Sequence, residues 1–260
     1  MKRNRPAGGL WNIIYPILIY YAGYYVVCAV GVVLFQTFAV QTLTPVWNGI
    51  LKGACMVGGL AFLYPVFLQE KEKRDFQKIK LASFFTLAIF SCCAVVFMNI
   101  LVEKSGLIQN SEAFQQSSER QFAVPLWLGL VLYGIIAPLA EEVLFRFILV
   151  NRIKDWTGSL VAGVLISSAL FGIYHGNVVQ GVYAFVLGSV LAMIYLYYGN
   201  ILAAIVFHGI GNIIIFLSGI YPELHRLLFE QIPWYVYLLV FIVFATAYCY
   251  RFWKRKRENL

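Results

Sequence analysis

Long apolar runs separated by short polar or charged breaks dominate this chain. A helix that crosses a hydrocarbon core about 30 Å thick needs roughly 20 apolar residues. The pattern therefore predicts an all-α polytopic membrane protein with about eight transmembrane helices. Their approximate bounds are residues 13–35, 46–68, 81–101, 125–150, 156–175, 178–198, 201–220 and 233–252.

The breaks around the sixth run are short and uncharged, at residues 175–177 and 198–200. If two of these runs formed one helix, there would be one span fewer, and the C-terminus would lie on the opposite side of the membrane. Residues 102–124 are rich in Ser, Gln and Glu, which predicts a mobile or locally helical loop. No internal repeat or soluble domain is evident, so residues 1–260 are interpreted as a single transmembrane domain.

Composition excludes a water-soluble protein, because 61% of the residues are hydrophobic and 12% are charged, whereas soluble domains have about 25% charged residues. The net charge of +8 does not indicate a nucleic-acid partner, since the basic residues flank the apolar runs and do not gather on a soluble domain. We therefore expect the lipid bilayer, and no nucleic acid, as a partner.

The basic residues also predict the orientation, because cytoplasmic loops carry an excess of Lys and Arg. One set of alternating loops is strongly basic and comprises residues 2–5, 70–80, 152–154 and 254–257. The other set has only Lys104, Arg120 and Arg226. Both termini are therefore predicted to be cytoplasmic, in a multi-pass protein of the cell membrane.

A few ionisable side chains interrupt the apolar runs, and each costs on the order of 2.5–3.5 kcal/mol on insertion, so it needs a partner, a cavity or a function. Glu142 and Arg146 are four residues apart and would face one another on a helix, where their charges neutralise each other. Glu141 is rotated by about 100° from Glu142, so it needs another partner. Lys52 lies near the start of the second run, where a long side chain can snorkel to the interface.

Two histidines and an amide are candidate partners of Glu141. His208 and Asn212 are one turn apart and would share a face of the seventh helix. Gly209 and Gly211 beside them leave room for a neighbouring helix or for a substrate backbone.

The second histidine, His175, ends the fifth run with Phe171 one turn before it, so the phenyl ring can support the imidazole. A single histidine in such a place is more often a satisfied core or interface residue. Both histidines together with Glu141 and Asn212 instead predict one shared, wet site, because hydropathy alone would have avoided all four.

Helix geometry puts a condition on this site. If the fifth and seventh helices begin at the cytoplasmic face near Ser159 and Asn200, a rise of about 1.5 Å per residue places His208 roughly 12 Å deep and His175 roughly 24 Å deep. We therefore expect tilted or staggered helices around a water-filled cavity at mid-membrane depth.

Peptide hydrolysis suits these side chains. A Glu with a His can activate water, and a His with an Asn can stabilise the oxyanion. No Ser or Cys stands in an obvious nucleophile motif, which favours water as the nucleophile. Glu141, His175 and His208 are also adequate ligands for Zn²⁺, with water in the open position. The spacing leaves both possibilities open, since the His-Glu-x-x-His signature is absent.

Three short motifs follow one another along the chain, on the fourth, fifth and seventh apolar runs. They are Glu-Glu-x-x-x-Arg at Glu141, Glu142 and Arg146, Phe-x-x-x-His at Phe171 and His175, and His-x-x-x-Asn at His208 and Asn212. In order and rough spacing they resemble the CAAX-protease and bacteriocin-processing family of intramembrane proteases, also called the CPBP or Abi family. The resemblance covers about residues 125–220, which we interpret as a catalytic core.

The resemblance implies a role for each matched residue. Glu141 and His175 would activate water, while His208 and Asn212 would hold the oxyanion or contribute to a metal site. The remaining matched residues would stabilise the site; they are Glu142, Arg146 and Phe171.

The resemblance also implies a substrate class, namely a membrane-associated protein or peptide. Prenylated CAAX proteins are substrates in eukaryotes, and many bacterial members are linked to bacteriocin maturation, to self-immunity or to cleavage of membrane-anchored regulators. Family members are described both as metalloproteases and as metal-independent glutamate-type proteases. A Zn²⁺ cofactor therefore stays open.

Two other functional classes compete with an intramembrane endopeptidase. A non-catalytic membrane protein for bacteriocin self-immunity or partner binding could use the same polar cluster as structure, and its protection would survive loss of Glu141 and His208. A small-solute transporter would also hold acids and histidines in the membrane. The paired repeats and broken helices typical of transporters are not found, so the sequence favours the endopeptidase.

Overall fold

The computed structural model describes residues 9–38 and 44–258, with side chains up to residue 251. Within those residues every regular element is a helix, which confirms the prediction of an all-α polytopic membrane protein. In chain order the helices are α1 (Trp11–Phe38), α2 (Pro45–Lys71), α3 (Leu81–Lys104), α4 (Glu112–Phe122), α5 (Leu126–Thr157), α6 (Leu160–Tyr174), α7 (Val178–Tyr198), α8 (Ile201–Ile220), α9 (Pro222–His225, followed by π-helical Arg226–Gln231) and α10 (Trp234–Glu258).

Seven of the described helices are long and apolar enough to cross a membrane, namely α1, α2, α3, α5, α7, α8 and α10. The remaining predicted span is α6, an apolar helix of 15 residues. At about 1.5 Å per residue it is roughly 22 Å long, shorter than a hydrocarbon core of about 30 Å. The cap residue that follows it, His175, therefore falls short of the far membrane surface.

Two Gly-Asn pairs keep α6, α7 and α8 separate. Gly176 and Gly199 have positive φ angles of 74° and 59°, a left-handed conformation that glycine adopts without a steric penalty. The asparagine after each glycine caps the next helix, since the side chains of Asn177 and Asn200 each accept a first-turn backbone N–H at 2.9 Å. Each pair therefore ends one helix and begins the next, and the three predicted spans do not fuse.

The fourth predicted span is α5, a continuous helix of 32 residues that packs against α1, α2, α6, α7 and α8. It contains two π-helical stretches, Leu132–Ile136 and Val143–Val150, and every residue of the second stretch is buried. Between them lies the ordinary α-helical segment Ala137–Glu142, which carries both glutamates. Short π-helical turns within α-helices are frequent at functional sites.

Small residues let α8 approach α5 and α3 closely. A Cβ built on Gly209 would stand 2.4 Å from the carbonyl oxygen of Gly134 in α5, and Gly211 packs almost as tightly on α3. Ser91 of α3 donates a hydrogen bond to the carbonyl oxygen of Phe207 in α8 at 2.6 Å. The glycines beside His208 therefore accommodate neighbouring helices, one of the two roles expected of them.

A buried ion network joins α1, α2 and α5 at the basic end of the bundle. Glu70 is 1% exposed and accepts a hydrogen bond from Nε of Arg152 at 2.7 Å. The same guanidinium donates to a backbone carbonyl oxygen of α1 at 2.9 Å, and Arg74 pairs with Asp155 at 2.5 Å. Arg74 and Arg152, two of the basic residues that predict the orientation, thus also hold α1, α2 and α5 together. The cytoplasmic orientation itself stays a prediction, and the basic residues 2–5 lie outside the described residues.

The loop expected at residues 102–124 contains α4. Ser111 caps this helix by accepting the backbone N–H of Phe114 at 3.3 Å. At its other end Phe122 stacks on Phe216 of α8 with 6.3 Å between the ring centroids. The loop is locally helical, as predicted, and is anchored to the bundle.

Replacing Gly209 by Ala should destabilise the bundle, because the added methyl group would meet a backbone carbonyl oxygen. Gly53→Ala in α2 is the matched control, since its methyl group would lie 3.5 Å from the side chains of Leu132 and Ile136, an ordinary contact. In detergent we expect Gly209→Ala to lose about 1–3 kcal/mol of stability, seen as a lower midpoint of thermal unfolding. The midpoint of Gly53→Ala should stay unchanged or rise. Equal midpoints for the two variants would contradict this account of the α5–α8 contact.

Candidate active site

Two adjacent glutamates of α5 stand in different surroundings. Glu142 is fully buried, and Glu141 is 8% exposed. Because consecutive helical residues point about 100° apart, the two carboxylates approach His208 of α8 from different sides. Oε1 of Glu142 lies near Nδ1 of the imidazole, and Oε2 of Glu141 lies near its Nε2.

Glu142 is the centre of a buried ion cluster. Its Oε1 lies 3.0 Å from Nη1 of Arg146 on the same helix and 2.8 Å from Nδ1 of His208. Arg146 is fully buried and His208 is 5% exposed. One carboxylate oxygen can interact with both groups because it has two lone pairs. The pairing of Glu142 with Arg146 agrees with the prediction from helical spacing, and the contact with His208 was not predicted.

Arg146 is surrounded by aromatic and small residues. Its guanidinium carbon lies 4.0 Å from the centroid of the Phe171 ring, a close cation–π contact. Gly188 of α7 also adjoins it, since a Cβ built there would stand 3.0 Å from Nη2. Among the described residues the guanidinium nitrogens make no hydrogen bond of good geometry. The cation is therefore held by the charge of Glu142 and by the phenyl ring.

Glu141 interacts with His208 more loosely. Oε2 of Glu141 lies 3.7 Å from Nε2 of His208, which is beyond hydrogen-bond length. The interaction is therefore one of charge, and the carboxylate oxygens of Glu141 keep the capacity to bind water or a substrate group.

His175 is half-buried, and its side chain folds back along α6. Its Nδ1 lies 2.8 Å from the carbonyl oxygen of Phe171, one turn earlier. A carbonyl oxygen can only accept, so this contact assigns the proton to Nδ1 and leaves the lone pair of Nε2 available. The backbone of α6 thus sets the tautomer of the imidazole.

Phe171 brings the two histidines to one place. Its ring packs edge-on against His175 and His208, with centroid separations of 4.7 and 6.0 Å. His175 also interacts electrostatically with Glu141 and His208. The depth difference expected between the histidines is reduced, because the His175 side chain points back toward the start of its helix.

Asn212 lies one turn after His208 and is half-buried. Its Nδ2 donates a hydrogen bond at 3.1 Å to the carbonyl oxygen of Tyr133, in the first π-helical stretch of α5. An amide nitrogen carries two hydrogens, so the second N–H remains for another acceptor. The contact fixes the amide between α8 and α5.

Lys52 lies beside this site, although its spacing suggested a snorkelling residue. Its Nζ is 5.5 Å from the centroid of the Tyr133 ring, and it interacts electrostatically with Glu141. The side chain is solvent-accessible. Because Lys52 stands on α2, far from the three motifs in sequence, helical spacing gave no signal for this placement.

The segment that carries the site matches a known family. Residues 123–214 match the family model described as type II CAAX prenyl endopeptidase Rce1-like. That range contains all three motifs. We refer to residues 123–214 as the Rce1-like segment, after the family model that they match. The resemblance to the CAAX-protease family is thereby confirmed over this segment.

One curated relative shares similarity of the same extent. The Bacillus subtilis (strain 168) protein named "Putative membrane peptidase YdiL" is 32% identical over 90 residues, which cover 35% of this chain and 36% of that protein. The match therefore spans about a third of the length of the relative. No solved structure matches the chain significantly.

The donor groups of the Rce1-like segment do not form a metal site as they are placed. In the part of the chain that the structure describes, no three His, Cys, Asp or Glu side chains are close enough together to hold a metal ion. Nδ1 of His208 faces Glu142, and Nδ1 of His175 faces a backbone carbonyl oxygen. Both contacts leave Nε2 as the atom of each imidazole that would bind a metal, and a metal-bound histidine usually donates its other ring N–H to such an acceptor. The Zn²⁺ ligand set of Glu141, His175 and His208 therefore stays a prediction.

Two features of the Rce1-like segment were not predicted from the sequence: the contact of His208 with both glutamates, and the π-helical stretches of α5. Helical spacing assigned Glu142 to Arg146 and left the histidines to Glu141, yet His208 contacts both acids from 66 residues further along. The only available signal was the capacity of a carboxylate for several donors. The π-helical stretches that flank the glutamates left no recognisable mark, since they depend on how α5 packs.

Glu142→Gln should destabilise the protein much more than Glu141→Gln. The first change leaves the Arg146 cation buried without a counter-charge, and breaking a buried ion pair costs about 3–5 kcal/mol. Glu141→Gln is a matched control, because it makes the same change at the next residue and loses only a 3.7 Å charge contact. Its stability should stay within about 1 kcal/mol of wild type. Thermal unfolding in detergent measures both, and an equal loss would contradict the central role of Glu142.

Proposed function

We propose that this protein is an intramembrane endopeptidase that cleaves a membrane-associated protein or peptide with a water molecule activated by Glu141 and His175. The observation that carries the proposal is the position of His208 between the two groups: its Nε2 lies 3.7 Å from Oε2 of Glu141, and Phe171 packs against both His208 and His175. The family described as CAAX prenyl endopeptidase supports it, and so does the peptidase name of the bacterial relative.

Glu141 and His175 can activate water because each keeps an acceptor atom to which no described residue donates a hydrogen bond. Glu141 keeps lone pairs available, whereas Oε1 of Glu142 is already engaged by two groups. His175 presents the lone pair of Nε2, because its Nδ1–H is bound to the Phe171 carbonyl. A water molecule can donate one hydrogen to each and direct its own lone pair at the scissile carbonyl carbon. Glu141 then accepts the proton as the C–O bond forms.

Oxyanion stabilisation falls to His208 and Asn212. Asn212 has a second amide N–H beside the one bound to Tyr133. His208 donates from Nε2 when both of its ring nitrogens carry protons, since Nδ1 already faces Glu142. Two N–H groups fixed by protein contacts are the arrangement that a developing oxyanion requires.

The buried charges have partners of opposite sign. The carboxylate of Glu142 faces the guanidinium of Arg146, and the ammonium of Lys52 interacts with Glu141. Paired charges are tolerated far better in an apolar bundle than an unpaired ion. The proton on Glu141 then passes to the leaving amide nitrogen as the C–N bond breaks, and Glu141 returns to its charged form. The remaining proton of the new carboxylic acid passes to the amine, so the products are a carboxylate and an ammonium group.

The substrate class follows from where the site lies. The cluster is enclosed by membrane-spanning helices, so the scissile bond must reach it from the bilayer or from its surface. A prenylated peptide satisfies this condition through its lipid, and a membrane-anchored peptide satisfies it through its apolar segment. We place the protein in the cell membrane with such a substrate.

Glu141→Gln should lower kcat/KM for cleavage of a membrane-anchored reporter by at least about 100-fold, because it removes the general base. The assay uses the full chain in vesicles with a prenylated CAAX peptide and reads the released fragment by mass spectrometry. Glu119→Gln on α4 is the matched control, since it makes the same change at an exposed carboxylate and should cleave like wild type.

Equal cleavage by wild type and Glu141→Gln would remove Glu141 from catalysis. A protein that confers bacteriocin self-immunity without cleavage would behave differently from a protease. Its protection of cells would survive replacement of both Glu141 and His208.

Metal removal should leave cleavage intact, because the proposed steps use only side chains and water. Treatment of the reconstituted protein with 1,10-phenanthroline should change the rate by less than about twofold. Elemental analysis of the purified protein gives a second readout. Loss of activity that Zn²⁺ restores, together with bound Zn²⁺ at about one ion per chain, would instead establish Glu141, His175 and His208 as metal ligands.

A further inference from the structure

A large cavity lies at the basic end of the bundle, apart from the Rce1-like site. It has a volume of about 720 Å³ and opens between the start of α3, the end of α7 and the last turns of α10. Its lining residues include none of those assigned to catalysis.

The charge of this cavity has one sign. Lys78, Lys80 and Arg251 line it, and among the described side chains that line it there is no carboxylate. All three cations are exposed. Such a concave surface attracts an anionic group and gives it no repulsive neighbour.

The loop that carries two of these cations is fixed in place. The backbone N–H of Gln77 donates to the carbonyl oxygen of Gly199 at 3.2 Å, and the side-chain amide of Asn200 donates to the carbonyl oxygen of Gln77 at 2.8 Å. Lys78 and Lys80 follow directly on this anchor. The cavity is therefore formed before any ligand arrives.

Three tyrosines add hydroxyl groups to the cations. Tyr197, Tyr198 and Tyr248 line the cavity, and the hydroxyls of Tyr198 and Tyr248 hydrogen-bond each other at 2.9 Å. A hydroxyl can donate to a phosphate oxygen. Tyrosines are also enriched where a membrane protein meets the headgroup region.

The cavity becomes apolar away from the end of the bundle. Val243, Phe244 and Ala247 of α10 line it, up to about 12 Å along the helix from Arg251 at 1.5 Å per residue. The apolar surface continues outward on α3, where Leu81 and Phe85 are 76% and 70% exposed. This surface has the length and polarity of an acyl-chain path next to a headgroup.

We propose that this cavity binds an anionic phospholipid, with its phosphate between Lys78, Lys80 and Arg251 and an acyl chain along α3 and α10. A neutral lipid would leave the three cations without a counter-charge, and a small soluble anion would leave the apolar wall uncovered. Basic pockets between transmembrane helices bind anionic headgroups at the membrane surface. The proposal rests on the fold and is independent of the proposed protease activity.

The test compares two double variants of the full chain in detergent. Lys78→Gln with Lys80→Gln removes two cavity cations, while Lys71→Gln with Lys73→Gln removes the same charge from the same end outside the cavity. Native mass spectrometry measures binding of phosphatidylglycerol and phosphatidylcholine. A cation near an anionic headgroup is worth about fivefold in affinity, so the cavity variant should bind phosphatidylglycerol at least about tenfold more weakly. The control pair and wild type should bind it alike.

Three results would overturn the proposal. They are equal binding of the two lipids by wild type, an equal loss in the control variant, and displacement of phosphatidylglycerol by millimolar inorganic phosphate, which would mark a site for soluble anions. Lipid-free unfolding midpoints check the fold of each variant. If the cavity variant is unstable, Arg251→Gln alone replaces it, and unchanged phosphatidylglycerol binding by that variant would equally contradict the site.

Discussion

The carboxylate of Glu142 is the constraint on which the rest of the structure depends. A guanidinium can stay inside an apolar bundle only if a carboxylate neutralises it, and a buried imidazole needs a hydrogen-bond partner. Oε1 of Glu142 serves both, since it contacts Arg146 and His208 at 3.0 and 2.8 Å. Arg146 lies on α5 and His208 lies on α8, so the ion cluster joins these two helices. The close approach at Gly209 joins the same pair. With Nδ1 of His208 held in this way, Nε2 is directed at Glu141.

Glu141 and Glu142 are neighbours in the sequence, yet they lie in different environments. Glu142 is enclosed and engaged by two partners, whereas Glu141 is slightly exposed and has a partner only at 3.7 Å. Pairs of carboxylates whose surroundings diverge commonly divide structural and proton-transfer roles. The helix repeat alone separates the two side chains by about 100°, so a single Glu-Glu dipeptide supplies both groups without a second element.

Local patterns account for what could be predicted from the sequence. Apolar runs predicted the spans because membrane helices must satisfy their own backbone groups. The breaks at residues 175–177 and 198–200 were weak signals in the sequence, and the structure shows that a Gly-Asn pair provides a helix end and a cap at each. Helical spacing likewise predicted that Glu142 faces Arg146. The placement of His208 on Glu142 and of Lys52 near Glu141 could not be predicted, since each depends on how distant helices pack. The same holds for the cavity at the basic end.

The π-helical stretches show how packing and chemistry meet in α5. A helix with a regular repeat would present one continuous face, yet α5 must contact α2 and α8 near Tyr133 and bury Val143–Val150 completely further on. A π-helical turn shifts the register of the residues that follow it, which lets one helix change partners along its length. The two glutamates lie between the π-helical stretches. Tyr133, which accepts the hydrogen bond from Asn212, lies in the first stretch, and Arg146 lies in the second. The groups proposed for catalysis are therefore placed where α5 changes its neighbours.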